Sequence, residues 1–178
     1  SLAQAATWDG SSWVVVGGGN ERSTLDREPV VWTSPDAASW RRLEVSGSDG
    51  FDDLERVIRI DDDLVALGLS GDSFAVWRRS GDDWSLGDRF GVLPEDATRS
   101  PFVSSLVSGE RGLWATTSDG ATYAAWHSAD GEEWTPVDTP GAAPETGGER
   151  ILTVAAAEDA VILLADDGTG GRLWWSAE

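Results

Sequence analysis

Short apolar runs alternate with polar turns along the whole chain, and no stretch shows the spacing of an amphipathic helix. Four of these runs are each followed, after a polar turn, by a second run that ends at a tryptophan. The first runs occupy residues 13–17, 64–68, 113–117 and 161–165, and the tryptophans are Trp32, Trp77, Trp126 and Trp174. Short runs bounded by Gly, Asp and Ser predict β-strands joined by tight turns.

The four tryptophans mark an internal repeat. They are 45, 49 and 48 residues apart, and the last three lie nine residues after the end of the preceding apolar run. Trp32 lies fifteen residues after its run, so the first repeat carries a six-residue insertion within residues 18–28. Because three spacings are equal, the register of the repeats is fixed, and the repeat becomes the basis for predicting the fold.

Each repeat holds more than two strands. A further apolar segment comes first, at residues 3–7, 55–60, 102–107 and 151–156, and a fourth strand follows the tryptophan turn at residues 40–45, 84–88 and 134–138. We therefore predict an all-β fold, a β-propeller of four-stranded antiparallel blades in about four repeats of 45–50 residues, the last incomplete. The predicted blades are residues 1–46, 47–91, 92–140 and 141–178.

The segments that differ in length between repeats all lie on one face of this predicted scaffold. Long connections at residues 46–54, 89–101 and 139–149 join one repeat to the next, and strand alternation places them beside the insertion at 18–28. Loops on a rigid scaffold commonly carry binding specificity, and arginines and aromatics are typical interface anchors. Possible partner-binding residues on this loop face are Arg22, Asp26, Arg27, Phe51, Phe90 and Arg99. The expected partner is a protein or a carbohydrate.

Composition narrows the partners further. The formal net charge is −19, from 32 acidic and 13 basic residues, which argues against nucleic acid and anionic membrane surfaces. No apolar run is long enough to span a bilayer, and without Cys the chain has neither disulfides nor thiolate metal sites. All basic residues are Arg, which together with abundant Ala, Gly and Asp indicates a GC-rich bacterium. Ser1 and the absence of Met suggest a processed form or a piece of a longer chain.

One turn carries a family resemblance. The segment Ser128, Ala129, Asp130, Gly131, Glu132, Glu133 and Trp134 resembles the Asp-box of sialidase-like (BNR-repeat) propellers. A second copy, from Ser34 to Trp40, has Ala37 at the glycine position, and a third, from Ser80 to Trp84, is shortened. The resemblance implies a structural role, on the face opposite an active site, for Ser34, Asp36, Trp40, Ser80, Trp84, Ser128, Asp130, Gly131 and Trp134.

The same resemblance sets the expectation for catalysis. A sialidase of this family needs three arginines, a Tyr and Glu pair, and an acidic acid/base residue. The one tyrosine, Tyr123, is predicted on a third strand away from the first strands, and only one first strand carries arginines, Arg56 and Arg59. We therefore expect no enzyme, but a non-catalytic, extracytoplasmic binding or scaffold module. The alternative is part of a sialidase-like glycoside hydrolase whose catalytic residues lie partly outside this chain.

Other candidate chemistry is weaker. The acidic pairs Asp52–Asp53 and Glu95–Asp96 could be the paired carboxylates of a glycosidase, but solvated loop acids are the simpler interpretation. Acidic turns at 49–53, 61–63 and 166–168 leave structural Ca²⁺ possible, although none has EF-hand spacing, and no other cofactor is expected. His127 has no second histidine with which to share a metal. The incomplete last repeat predicts possible self-association through open blade edges.

Overall fold

The computed structural model describes residues 2–23, 26–48, 50–97, 99–139, 151–157, 160–166 and 168–177, without the side chains of 21–26 and 175–177. These described residues form fifteen β-strands and no helix. The strands make four antiparallel sheets in chain order, the first three with four strands and the fourth with three. The predicted all-β class of consecutive antiparallel sheets is confirmed. The chain divides into two compact units, Ser1–Gly91 and Val92–Glu178.

The first unit holds the first and second sheets. The first sheet contains β1 (Leu2–Trp8), β2 (Trp13–Ser23), β3 (Asp26–Ser34) and β4 (Arg41–Leu43). The second contains β5 (Asp52–Ile60), β6 (Asp63–Ser70), β7 (Ser73–Ser80) and β8 (Asp83–Phe90). Val14, Val16 and Val31 of the first sheet pack against Leu64 and Trp77 of the second in one buried cluster. This apolar layer holds the unit together.

The second unit is built in the same way. The third sheet contains β9 (Phe102–Gly109), β10 (Gly112–Ser118), β11 (Tyr123–Ser128) and β12 (Thr135–Val137). The fourth contains β13 (Ile151–Ala156), β14 (Ala160–Asp166) and β15 (Gly171–Ala177). Leu152 and Leu163 of the fourth sheet pack against Ala125 of the third. The Ser104 hydroxyl also donates to the Leu152 carbonyl at 2.9 Å, so hydrogen bonds as well as apolar contacts join the two sheets.

The first strands of three sheets share an irregularity. Gln4 in β1, Glu55 in β5 and Ser104 in β9 each stand between two paired residues without a partner in the register. These three positions are equivalent in the repeat, because the flanking residues pair with Gly17, Gly68 and Thr117. Such β-bulges redirect a side chain and are frequent beside functional sites. In the fourth sheet, β13 pairs with β14 residue for residue.

Two predicted loops are strands. The insertion at 18–28 lengthens β2 and β3 into a hairpin in which Asn20 pairs with Arg27 and Ser23 with Asp26. The predicted first strand at 55–60 begins three residues earlier, because Asp52, Asp53 and Leu54 already pair with β6. Both changes lengthen strands at the same end of the first unit, since β3 and β5 begin there while β2 ends there. As a result, charged residues that were predicted to lie in loops lie on strands.

Candidate functional site

The charged residues with the least exposure in the first unit lie at the beginning of β5. Asp52 and Asp53 are each 1% exposed and Glu55 is 7% exposed. Burying a carboxylate is costly unless it is paired or hydrogen-bonded, so three buried acids within four residues are unusual. The prediction that Asp52 and Asp53 are solvated loop acids is therefore wrong. Their partners show which of them the fold needs and which are available for chemistry.

Asp52 is fully occupied by the preceding connection. Its carboxylate accepts a hydrogen bond from the Ser48 backbone N–H at 2.5 Å and others from the Ser48 hydroxyl at 3.0 Å. An added Cβ at Gly47 would come within 2.5 Å of the same carboxylate. Asp52 therefore fixes the turn that leads into β5, as a carboxylate in an Asx-type turn does. We assign it a structural role.

Asp53 is held differently, by a residue from the long hairpin. The Arg27 guanidinium, 20% exposed, donates from Nη1 to Asp53 Oδ2 and forms an ion pair with it. Burial raises the pKa of Asp53 above its ordinary value, while the Arg27 charge and the Gln4 side chain act to lower it. The hairpin extension that the sequence shows as an insertion thus supplies the arginine that pairs with this buried acid.

The Arg27–Asp53 pair is incompletely satisfied. Within the described part of the chain, Asp53 Oδ1 and Arg27 Nε are buried and have no hydrogen-bond partner. Both atoms lie against Gly18, where an added Cβ would be 2.5 Å from Asp53 Oδ1 and 2.6 Å from Arg27 Nε. Buried polar atoms without partners are rare in native proteins and call for an explanation. Gly18 is needed here because any larger residue would collide with the pair.

Glu55 follows Asp53 by two residues on β5 and is the third buried acid of this segment; we name Gln4, Arg27, Asp53 and Glu55 together the carboxyl cluster. Glu55 occupies the β-bulge of β5, and its backbone carbonyl accepts a hydrogen bond from Arg56 Nη1 at 2.7 Å. Gln4 occupies the equivalent bulge of β1. Sequence reasoning missed both, because a bulge shows itself only in the pairing of two strands. The glycines at 17–19 were the available signal, since a chain that passes close to other groups needs glycine.

The predicted loop-face residues are dispersed. Arg22 and Asp26 are on the hairpin, but their side chains lie outside the described residues. Phe51 is half-buried, and its carbonyl accepts from the Gly71 N–H at 2.8 Å. Phe90 is buried at the end of β8 and stacks on Phe74 with ring centroids 5.7 Å apart, so it is not an exposed anchor. Arg99, in the second unit, is exposed.

The tryptophan turns have a consistent hydrogen-bond pattern. Asp36 Oδ1 accepts from the N–H groups of Ser39 at 2.8 Å and Ala38 at 2.9 Å, and from the Ser34 hydroxyl at 3.0 Å. These bonds lower the pKa of Asp36 to about 2. In the second unit, the Glu132 N–H donates to Asp130 at 2.8 Å, which lowers the pKa of that carboxyl, and the Ser128 hydroxyl donates at 3.2 Å.

The copies of this turn differ in detail. Ala37 takes a positive φ of 57° at the position where Gly131 has a φ of 80°. The shortened copy is a two-residue turn in which Ser80 pairs with Asp83. Trp84 and Trp134 are buried at 2% and 8% exposure, whereas Trp40 is 44% exposed. Asp36 and Asp130 are thus held in their turns by hydrogen bonds, whereas Trp40 is exposed although the resemblance implies a structural role for it.

The remaining candidates are occupied by local structure. Tyr123 is buried, and its ring meets Phe102 edge-on at 5.9 Å, so it contacts the first strand β9, contrary to the prediction that it lies away from the first strands. Burial raises its pKa, against the charge of Arg99. His127 Nε2 lies 2.8 Å from the Arg111 carbonyl. Among the described residues, no group of three or more acidic or histidine side chains could hold a metal ion.

Comparison with known proteins gives a likeness of fold. No protein-family model matches the sequence, and no curated protein does. One similar structure comes from work on the GH130 family of mannoside phosphorylases, containing glycoside hydrolases that target beta-1,2 mannosidic linkages in Candida mannan; the TM-score is 0.54 at 15% identity. Another is a putative glycoside hydrolase from Parabacteroides distasonis ATCC 8503, with a TM-score of 0.51 at 17% identity.

These matches cover 90% of this chain but only 58% and 60% of the two neighbours, so the chain spans less than two thirds of their length. Neither neighbour is described as a sialidase or an Asp-box protein. Both are described as carbohydrate-active proteins, and this finding overturns the prediction that the chain is not an enzyme. Separately, the described residues form no apolar helix of the length needed to cross a membrane.

Proposed function

We propose that the chain is part of a carbohydrate-active enzyme of the glycoside hydrolase class, with its four sheets arranged as blades of a β-propeller. The observation that carries the proposal is the carboxyl cluster, in which Asp53 is buried, ion-paired and left with a free oxygen. The fold likeness to glycoside hydrolases supports it. The propeller arrangement is supported by the repeat and by the face-to-face packing of consecutive sheets within each unit.

Glycoside hydrolysis needs carboxyl groups in two states. One must hold a proton to give to the leaving oxygen, and another must be ionised to act as base or nucleophile. Burial raises the pKa of Asp53 and so favours its protonated form, whereas Arg27 favours the ionised form. Removal of Arg27 from the pair by a substrate group would therefore change the protonation of Asp53. Asp53 and Glu55 are our candidates for the reacting carboxyls, and Arg27 for the group that sets their charge.

Further catalytic residues are proposed to lie in parts of the neighbours' fold that this chain does not span. The ligand is proposed to be a carbohydrate. It would bind at the end of the first unit where the β2–β3 hairpin meets the beginning of β5. We also propose an extracytoplasmic location, as the family resemblance of the sequence implies.

The test is carbohydrate binding, followed by hydrolysis. Neutral oligosaccharides are screened against the 178-residue chain by ligand-observed NMR, and any hit is quantified by titration calorimetry. Asp53→Asn and Glu55→Gln should weaken binding at least about tenfold, and should reduce any hydrolysis about 10²-fold to 10⁴-fold as expected for an acid/base residue. Asp62→Asn, at a fully exposed carboxylate, is the matched control and should change neither quantity.

Two results would refute the proposal. One is a screen in which no carbohydrate binds. The other is a bound sugar whose affinity is the same in the Asp53→Asn, Glu55→Gln and Asp62→Asn variants. Circular dichroism on each variant separates loss of binding from loss of fold.

A further inference from the structure

The two unpartnered atoms of the Arg27–Asp53 pair are complementary. Asp53 Oδ1 is a carboxylate oxygen, which accepts hydrogen bonds, and Arg27 Nε carries a hydrogen that it can donate. Within the described part of the chain both atoms are buried, and neither has a hydrogen-bond partner. Leaving a buried polar atom unpaired is costly, so a group that bonded both atoms at once would remove two costs.

Both atoms face the same point beside β2. A Cβ added at Gly18 would lie 2.5 Å from Asp53 Oδ1 and 2.6 Å from Arg27 Nε. The glycine leaves this point without a side chain, and its backbone is fixed between Leu2 of β1 and Pro29 of β3. Because the two distances are measured from one point and are close to the length of a hydrogen bond, one small group can reach both atoms.

The chemistry of the two atoms selects this group. A hydroxyl can donate its hydrogen to Asp53 Oδ1 while its oxygen accepts from the Arg27 Nε–H. An ammonium group only donates, and a carboxylate only accepts, so neither satisfies both atoms. The Arg27 charge is already balanced by Asp53 in the ion pair, so the bound group needs no charge of its own.

Arg27 is the member of the pair that a ligand reaches first. Its side chain is 20% exposed, whereas that of Asp53 is 2% exposed. The existing hydrogen bond runs from Arg27 Nη1 to Asp53 Oδ2 and uses neither unpartnered atom. A shift of the flexible arginine side chain can therefore open the space beside Gly18 while the ion pair is kept.

We propose that the Arg27–Asp53 pair recognises one hydroxyl group of a neutral sugar, with Asp53 Oδ1 accepting from it and Arg27 Nε donating to it. This contact rests on the proposed function and adds to it the feature of the carbohydrate that the site reads. A sugar without that hydroxyl leaves both atoms buried and unpaired. A site built around a hydroxyl rejects such an analogue for this reason.

The experiment removes the hydroxyl from the ligand and the donor from the protein. The probes are the methyl pyranosides of neutral hexoses and their derivatives that lack one hydroxyl, titrated calorimetrically into the 178-residue chain. For a sugar that binds, one derivative should lose at least about tenfold in affinity. Arg27→Lys keeps the positive charge but has no Nε–H, so the parent sugar should bind about tenfold more weakly. In this variant the same derivative should lose less than about threefold further, because the contact is already gone.

Two controls are matched to these changes. Arg41→Lys alters an arginine whose side chain is 62% exposed, so the derivative should lose as much affinity there as in the wild type. Gly18→Ala places a methyl group where the hydroxyl would bind, and it should weaken every sugar at least about tenfold. Gly87→Ala should bind as the wild type does, because its added Cβ would only come within 3.5 Å of the Val76 carbonyl.

The outcomes separate this contact from the proposed function. If neither oligosaccharides nor methyl pyranosides bind, both are refuted. If oligosaccharides bind but no methyl pyranoside does, the hydroxyl contact alone is overturned. It is also overturned if every derivative loses as much affinity in Arg27→Lys as in the wild type, a result expected if the pair holds a water molecule instead. Circular dichroism checks the fold of each variant, and the comparison of derivatives in the wild-type chain depends on no variant.

Discussion

The two ends of the first unit hold aspartates in opposite ways. At the end where β1 runs into its turn, Asp9 accepts from the N–H groups of Ser12 at 2.7 Å and Ser11 at 2.8 Å, and from Arg79 at 2.5 Å. Although burial opposes them, these bonds lower the pKa of Asp9. At the other end, burial raises the pKa of Asp53, and one of its oxygens has no hydrogen-bond partner.

The comparison separates the two carboxylates by their bonding. Asp53 is buried, Asp9 is half-buried with a side chain that is 8% exposed, and each is paired with an arginine. Asp9 is surrounded by turn N–H groups that a substrate could not replace. Asp53 has one buried oxygen without a hydrogen-bond partner, which is rare in a native fold and calls for an explanation. The predictions below test whether this contrast holds.

The largest effect is expected from Arg27→Ala. Removing the arginine leaves Asp53 buried without its cationic partner, which should lower the free energy of unfolding by roughly 3–5 kcal/mol at pH 7. The pKa of Asp53 in the folded variant will lie further above the unfolded value, so the folded state takes up a proton more readily. The variant should therefore regain stability as pH falls from 7 towards about 4.

The check is urea denaturation of wild type and variant at several pH values. The double variant Arg27→Ala with Asp53→Asn serves as control, because it removes the charge and should recover part of the loss at pH 7. A stability difference that does not change with pH would show that Asp53 is not the source of the cost.

The sequence predicted the strands and their repeat but not the carboxyl cluster around Asp53. The strands follow from the spacing of Trp32, Trp77 and Trp126, because strand and turn lengths are local properties of the chain. The burial of Asp53 is not local, since its partner Arg27 is 26 residues away and arrives on a hairpin. An acidic pair next to Gly50 and Phe51 has the composition of a loop, so the early start of β5 could not be predicted from propensity alone.

Arg79→Ala should have the next largest effect, of roughly 2–3 kcal/mol, because it removes a mostly buried partner of Asp9. Here the pH dependence has a different origin, because it comes from the wild-type ion pair and not from a raised pKa in the variant. The pKa of Asp9 is lowered in the folded state, so the ion pair stabilises above the ordinary aspartate pKa of about 3.9 and its contribution is lost as pH falls below it. The gap between wild type and variant should thus close in acid, where the Arg27→Ala variant is also recovering.

The matched control is Arg41→Ala. Arg41 and Asp82 are 3.0 Å apart, but their side chains are 62% and 74% exposed, so this variant should cost less than about 0.5 kcal/mol at any pH. If Arg79→Ala lowered the free energy of unfolding no more than Arg41→Ala does, the Asp9–Arg79 pair would not stabilise the turn after β1.

The smallest effect concerns one position of the tryptophan turns, which is Ala37 in the first sheet and Gly131 in the third. Ala37 adopts a left-handed φ of 57°, which costs a residue with a Cβ about 1 kcal/mol, whereas Gly131 takes the equivalent position at 80° without that cost. Ala37→Gly should raise the free energy of unfolding by about 0.5–1 kcal/mol, and Gly131→Ala should lower it by a similar amount. Both are measured by urea denaturation at pH 7. Opposite signs for the two changes would show that a Cβ at this position strains the turn in both copies. If both variants lost stability, the hydrogen bonds of Asp36 would already hold Ala37 in place. Hydrogen bonding would then outweigh backbone strain in the turn of the first sheet.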